Sequence, residues 1–508
     1  MSSLVKEDVE VVSPEGRTST VLRSNALGLT ALFFCIATAA APMTALLFNT
    51  PVVVLGSGWA GPSAFLVATV MLLIFTVGYI EMSHRVTTAG GFYSFVSHGF
   101  GQVFGLGTAA LVTMSYSVLV AALLGVFAYF ANTTIDSWLH VSIPVWLLMP
   151  FALIVDVLFT WFDIKITARI LGVFFIAEVL GALILGFAIT FAGGAHGLTA
   201  APLNPLKLFN NHSAIKVFGA AAPGVALFGA FWSWVGFEMA PNYGEESRQP
   251  KKIAGMATFA TLFVLGIVYV FVTWAFVVGW GINHVSQAVS AQFKGTYISA
   301  YYPLTGRYFG VSLTDAFKIL IITSSFACQL AFFNTSARYV FALGRERLLP
   351  SALGRTHRKH NTPHVAAITL AVVVGIYVAV FTVQDSSPLG ALTKLGTYSP
   401  LLGVLGILAA QALTSFAIVR YFWTVERAHF HPWKTLVAPL LGGGLMVFSC
   451  FLLLKNRETL AGVNNVFVEA IPWIALAIFV LGVGAALWFR ARDSARYEAV
   501  GRFVHEEA

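Results

Sequence analysis

Charge is what this chain has least of. Only 10% of its 508 residues are Asp, Glu, Lys or Arg, against 58% hydrophobic; a soluble domain carries about 25% charged residues. So few charges cannot cover the surface of a soluble protein of this length, and the composition points to a membrane protein. Cysteine is scarce as well. Cys35, Cys328 and Cys450 are the only three. They lie in apolar segments at no metal or redox spacing, so each reads as a small packed hydrophobe. There is no ATP-binding motif, which argues against a primary pump. There is no H-E-x-x-H, no Ser/His pairing and no cysteine site, so nothing points to an enzyme, a cofactor or a metal. One G-x-G-x-x-G match, GSGWAG at 56–61, has no strand before it and reads as a turn between helices. The histidines of THRKHNTPH (356–364) read as a solvated loop.

Long apolar runs are what the chain has in place of charge. Windows of about 20 apolar residues each mark twelve expected spans, near 26–48, 62–83, 103–130, 143–162, 168–192, 215–238, 254–281, 312–340, 364–383, 390–417, 434–454 and 470–489. In lipid such segments must satisfy their own backbone hydrogen bonds, so the expected fold class is an all-α polytopic bundle. The runs are too long, and alternate too little, for a β-barrel. Residues 1–24 read as a tail. The A-x-A pattern in ALGLTALFFCIATAAAP follows about two dozen polar residues, unlike a signal peptide, so that segment reads as a retained first span.

An even number of spans puts both ends on one side. On that side fall 22 of the 30 Lys and Arg residues, against 8 on the other. This asymmetry predicts cytoplasmic ends in a cytoplasmic (inner or plasma) membrane, and it accounts for the net charge of +8 without a nucleic-acid partner.

Two spans carry interruptions. The first contains ATAAAPM, Ala37 to Met43, where Pro42 removes an N–H and should open the helix just before it. The sixth contains FWSWVGFE, Phe231 to Glu238, where Gly236 weakens the helix and Glu238 needs water or a partner. Each is the first of five spans. Interrupted helices at matching positions in two halves point to a secondary transporter's midplane site. An opened helix exposes N–H groups that suit a carboxylate and carbonyls that suit an ammonium.

Four stretches carry a family likeness: FWSWVGFEMAPNYGEESRQPKKIAGMAT (231–258), HRVTTAGGFYSFV (84–96), NTSARYVFALGRERLLPSALGRTHRKHNTP (334–363) and the interrupted first span. In order and spacing the chain resembles the amino acid–polyamine–organocation transporters. The resemblance implies a five-plus-five inverted repeat with two further helices: 25–192 as the first repeat, 193–420 as the second, 421–489 as spans 11 and 12, and 490–508 as a cytoplasmic tail. It also implies alternating access, with an amino acid or related amine held between spans 1, 3, 6, 8 and 10. The chain departs from the family where many members have a glycine-serine-glycine break. Here the first span reads Ala39-Ala40-Ala41-Pro42, and the N–H of residue 42 is missing from any carboxylate cradle.

The expected substrate-binding residues are Ala39, Ala40, Ala41, Pro42 and Met43 at the first break, with Phe231, Trp232, Ser233, Trp234, Gly236 and Phe237 at the second. Trp232 is suited to cover a solute or face a cation. Helical spacing prevents all four aromatics from facing one site. Tyr116 and Ser117 in the third span are further candidates. For the coupling ion, the expected residues are Glu178, an acid in the middle of span 5, Glu238, Asn334 and Thr335; Ser336 offers another hydroxyl. Asn334 and its neighbours are equally suited to gluing helices together.

The sequence therefore predicts a proton-coupled amino acid permease. Sodium coupling and a small-amine substrate, polyamine or ethanolamine-like, are the alternatives within transport. A channel built on the same broken helices belongs to a different class, and saturable counterflow separates the two.

Overall fold

The computed structural model describes residues 22, 25–87, 90–161, 164–210, 222–296 and 298–501. The expected tail over 1–24 falls outside them apart from residue 22; so do 215–221 of the sixth span and 502–508. Among the described residues there is no β-strand, and the one isolated bridge pairs Leu27 with Ser247. Among the described residues nine helices are long and apolar enough to cross a membrane. The largest, Leu29–Ser83, has 55 residues and would measure about 80 Å if straight, far beyond a single crossing. It is not straight. It is interrupted at Ala40 and Ala41 and again at Gly58, where φ is +59°. The GSGWAG stretch is therefore a turn between helices.

The helix Ile164–Phe191 illustrates why such segments assemble. Val173, Ile176, Leu180, Ile184 and Phe187 are exposed, while Leu171, Phe175, Glu178, Ala182, Leu185 and Ile189 are buried. Both sets recur every three or four residues, as the two faces of one helix must. From Val173 onward the outward face is wholly apolar, as a lipid-facing surface requires. The inward face carries a single acid. With its apolar helices, this is an integral membrane protein.

Several helices run past the expected apolar windows. The third, expected over 103–130, spans Gln102–Leu139. In its polar end Thr133 and Ser137 donate back to the carbonyls of Tyr129 and Thr134, both at 2.8 Å. The eighth likewise continues to Arg345. The expected sixth span instead divides into a helix, Pro223–Trp234, and a tight 3₁₀ segment, Phe237–Glu246.

One large apolar core joins the helices around the two interruptions. At one end of the bundle the two described chain ends come together. Leu27 donates to the Glu246 carbonyl and accepts from the Arg248 N–H, both at 2.9 Å, and the Gly501 N–H donates to Glu346 at 3.2 Å.

Candidate functional site: two helix breaks back to back

At the first break the helix ends with Ala40, and Ala41 takes the left-handed conformation with φ +44° and ψ +72°. Helix resumes at Pro42, whose fixed φ suits a first helical position. A wide π turn follows over Ala45–Asn49. At the second break Val235 is extended and Gly236 takes φ +115°, which only glycine adopts without strain. A side chain at Gly236 would lie 2.5 Å from the Cβ of Ala39 and 3.2 Å from the Phe332 ring. The breaks therefore touch, with alanine on one side and glycine on the other allowing the approach.

Each break is closed by a buried acid. The Met43 N–H donates to Oε2 of Glu178 at 3.2 Å. Ser324 donates to the same oxygen at 2.7 Å and lies 3.1 Å from both the N–H and the hydroxyl of Thr44. At the second break the Gly236 N–H donates to Oε2 of Glu238 at 3.0 Å, and the Tyr116 hydroxyl donates to Oε1 at 2.8 Å. Tyr79 donates to the Glu238 carbonyl at 2.7 Å. Both acids thus sit where half-helix N–H groups and their dipole favour negative charge.

The carbonyl side is occupied as well. Cys328 Sγ donates to Ala39 at 2.9 Å, and the Tyr269 hydroxyl donates to Ala40 at 2.6 Å and to Ser233 at 3.4 Å. Asn49 donates to Ser233 Oγ at 2.9 Å.

Rings line the second break. Phe332 lies 6.1 Å from Trp232 and 5.8 Å from Tyr116, centroid to centroid, and Tyr116 stacks on Tyr339 at 5.8 Å. The indole Nε1 of Trp232 is buried without a partner. Trp234 turns to the other side, edge-on to Tyr269 at 5.0 Å, and Phe237 meets Phe75 at 6.2 Å. Phe231 is buried in the core.

The remaining expected residues fall into a different group. Ser117 pairs with Ser336 at 2.9 Å and bonds back to Thr113; it lines an apolar groove with Leu343 and Phe489. Asn334 accepts from Thr160 at 3.2 Å, and Thr335 meets the sulfur of Met239 at 3.1 Å. These contacts join helices, and that of Thr335 reaches the 3₁₀ segment that follows the second break.

Sequence reasoning passed over Tyr269, Ser324 and Phe332 and read Cys328 only as a packed hydrophobe; the roles of all four depend on neighbours far along the chain. It also passed over Asp156, fully buried in Val145–Trp161 and held by Gln329 Nε2 at 2.5 Å. That acid carried the same signal as Glu178, a carboxylate within an apolar run. Next to the joined chain ends, Arg338 forks onto Glu246 at 2.7 and 3.1 Å, and Arg345 onto Glu245 at 2.8 and 2.6 Å. Among the described residues no group of His, Cys, Asp and Glu is placed to hold a metal.

The sequence profile of the amino acid permease family matches residues 27–487. The chain belongs to this family. It is 24% identical to the branched-chain amino acid permease BcaP of Bacillus subtilis (strain 168), over 79% of this chain and 82% of that one. It is 23% identical to the low-affinity putrescine importer PlaP of Escherichia coli (strain K12), over 76% of this chain and 78% of that one. A solved structure, of a Na+-coupled sialic acid symporter in a substrate-bound outward-open state, aligns with a TM-score of 0.49 at 12% identity, covering 84% of this chain and 89% of that one. The permease relatives make this a transporter for amino acids or amines.

Proposed function

We propose that this permease is a secondary active transporter that works by alternating access, with its solute seated beside the two touching breaks and a proton as coupling ion. The observation that carries the reading is the contact of two broken helices, Ala39 against Gly236, with a buried acid on each. Broken helices expose main-chain dipoles in protein rather than in lipid, and that is useful only where something polar binds. In this reading Trp232 and Tyr116 wall the solute, and Glu178 takes up and releases the proton. Glu238 steadies the second break.

The topology we propose has twelve spans with both ends in the cytoplasm. It takes Leu29–Ser83 as two crossings and adds Val145–Trp161 and the broken Pro223–Trp234 segment to the other long helices. Residues 25–192 and 193–420 are then the inverted repeats. Carboxylate and hydroxyl oxygens from Glu178, Ser324 and Thr44 converge within hydrogen-bond range, a donor set that also suits Na+ and favours sodium as the second coupling ion to test.

Counterflow of labelled solute in proteoliposomes tests the transport reading. Saturable exchange without an imposed gradient is expected, whereas unsaturable flux would indicate a channel. Accumulation driven by an inward proton gradient, abolished by a protonophore, is the result expected for proton coupling. Accumulation that follows a Na+ gradient alone would replace the proton with sodium.

A further inference from the structure

The helix Val311–Arg345 ends in a tight turn. Arg347 takes φ +58°, and the N–H groups of Leu348 and Leu349 both donate to the Leu343 carbonyl, at 2.9 and 3.1 Å. Glycine lets the next segment fold back on this turn, since a side chain at Gly344 would lie 2.6 Å from the Gly354 nitrogen. The turn has two sides. Its polar residues Arg345, Glu346 and Arg347 line a pocket of about 620 Å³, which Arg355, Asp493 and Arg496 help to close. Its apolar residues Leu343, Leu348 and Leu349 line a groove of about 660 Å³ against the helix Val466–Arg492. Pocket and groove meet at Arg496, whose guanidinium lies 5.9 Å from the ring centroid of Phe489, a groove residue.

Charge in the pocket is unbalanced. Arg345 is matched by Glu245, and Arg496 by Asp493 at 2.9 Å. Arg347 and Arg355 are exposed, and among the described residues neither side chain has an ion-pair or hydrogen-bond partner. Glu346 is the remaining acid. Burial pushes its carboxyl up to about 8, so near neutral pH it is mostly protonated and cancels neither arginine. Its Oε1 accepts from Tyr93 and the Gly501 N–H, which leaves the proton to Oε2, buried without a partner. The groove is apolar and open. Val373 and Leu481 on its wall are exposed. From Phe489 to Phe467 that wall runs about 33 Å at the helical rise, as long as the hydrocarbon core of a bilayer is thick.

We infer that pocket and groove together bind an anionic phospholipid, its phosphate held by Arg347 and Arg355 and an acyl chain lying in the groove. A free phosphate would use the arginines and leave the groove empty. A lipid without net charge would fill the groove and leave the arginines unmatched. Guanidinium forks suit phosphate oxygens, and basic pockets beside membrane helices on the cytoplasmic side hold anionic headgroups. This end carries both described chain ends and is cytoplasmic in the proposed topology. The site stands apart from the two breaks and does not depend on which solute is carried.

The test titrates the purified full-length protein in detergent with dioleoyl phosphatidylglycerol, dioleoyl phosphatidylcholine and glycerol 3-phosphate, and reads binding as a rise in melting temperature. Phosphatidylglycerol is expected to bind about tenfold or more tightly than phosphatidylcholine, as two arginines each contribute roughly fivefold near an anionic surface. Glycerol 3-phosphate at the same concentration is expected to give no shift. The double variant Arg347→Gln, Arg355→Gln should lose the preference between the lipids. Ala485→Trp, which adds bulk to the groove from an exposed position, should weaken phosphatidylglycerol binding with the arginines intact. Equal shifts from both lipids would overturn headgroup recognition, and this comparison needs only the wild-type protein. An equal shift from glycerol 3-phosphate would assign the pocket to a soluble anion and overturn the lipid. Undiminished phosphatidylglycerol binding in both variants would overturn the site.

Discussion

The hydroxyl of Tyr269 lies 2.6 Å from the carbonyl of Ala40, the last residue before the first break. The same hydroxyl reaches the Ser233 carbonyl at 3.4 Å, in the helix leading to the second break. One tyrosine thus ties together the two half-helices that approach the site. Tyr269→Phe would leave the Ala40 carbonyl without this donor in a dry setting, a loss of about 1–3 kcal/mol. A lower melting temperature is expected, with a larger loss in transport than in binding; an unchanged profile in both would show that the tie is dispensable.

Gly236→Ala is expected to abolish transport. Its φ of +115° is strained for alanine, and the added carbon would press against Ala39. Such strain costs on the order of 1–3 kcal/mol, within reach of a folded but inactive protein. Normal uptake at normal expression would mean that the breaks need not touch.

Glu178→Gln is expected to separate exchange from accumulation. Glutamine can still accept from the Met43 N–H, but it cannot carry a proton. Counterflow should persist while uptake stops responding to a proton gradient. Gradient-driven uptake at the wild-type level would assign Glu178 to capping the resumed helix alone.

Trp232→Ala is expected to raise the apparent KM by about tenfold, the scale of one desolvated cation–π contact. Initial-rate uptake measures it, and an unchanged KM would remove Trp232 from the site.

Glu346 lies beyond the membrane-spanning helix that ends at Arg345. Burial pushes its carboxyl from the ordinary 4.5 up to about 8, although Tyr93 and the Gly501 N–H donate to it. Between those values the folded protein holds a proton that the unfolded chain releases, so stability is full at low pH and falls as pH rises through the window. Glu346→Gln should flatten that part of the melting profile. An identical slope in the variant would assign it to other groups.

The breaks were legible in the sequence because Pro42 and Gly236 act on the chain locally. Neither residue needs a distant neighbour to interrupt a helix. The partners of the breaks were not legible. Glu178 caps an N–H 135 residues away and Tyr116 meets Glu238 across 122 residues, and local pattern carries no record of such pairings. Glu178 stood out as an acid in the middle of an apolar span, yet Asp156, with the same signal, was passed over. Ser117 is expected at the substrate site, and Asn334 at the ion site or gluing helices together; their hydrogen bonds run to Ser336 and Thr160. Hydroxyls and amides serve both purposes, and only geometry separates them.

The latch at the end carrying both described chain ends has a kinetic consequence. Leu27 is joined to the 246–248 loop by two main-chain bonds, Arg338 to Glu246 by a buried fork, and Arg345 to Glu245 by a second. In the proposed alternating-access cycle, opening this end has to release them nearly together, because each holds the same short loop against its neighbours. Such a step carries a large activation enthalpy, so turnover should climb more steeply with temperature than solute binding does. Arg345→Ala, which removes one fork, should lower that temperature coefficient while leaving affinity unchanged.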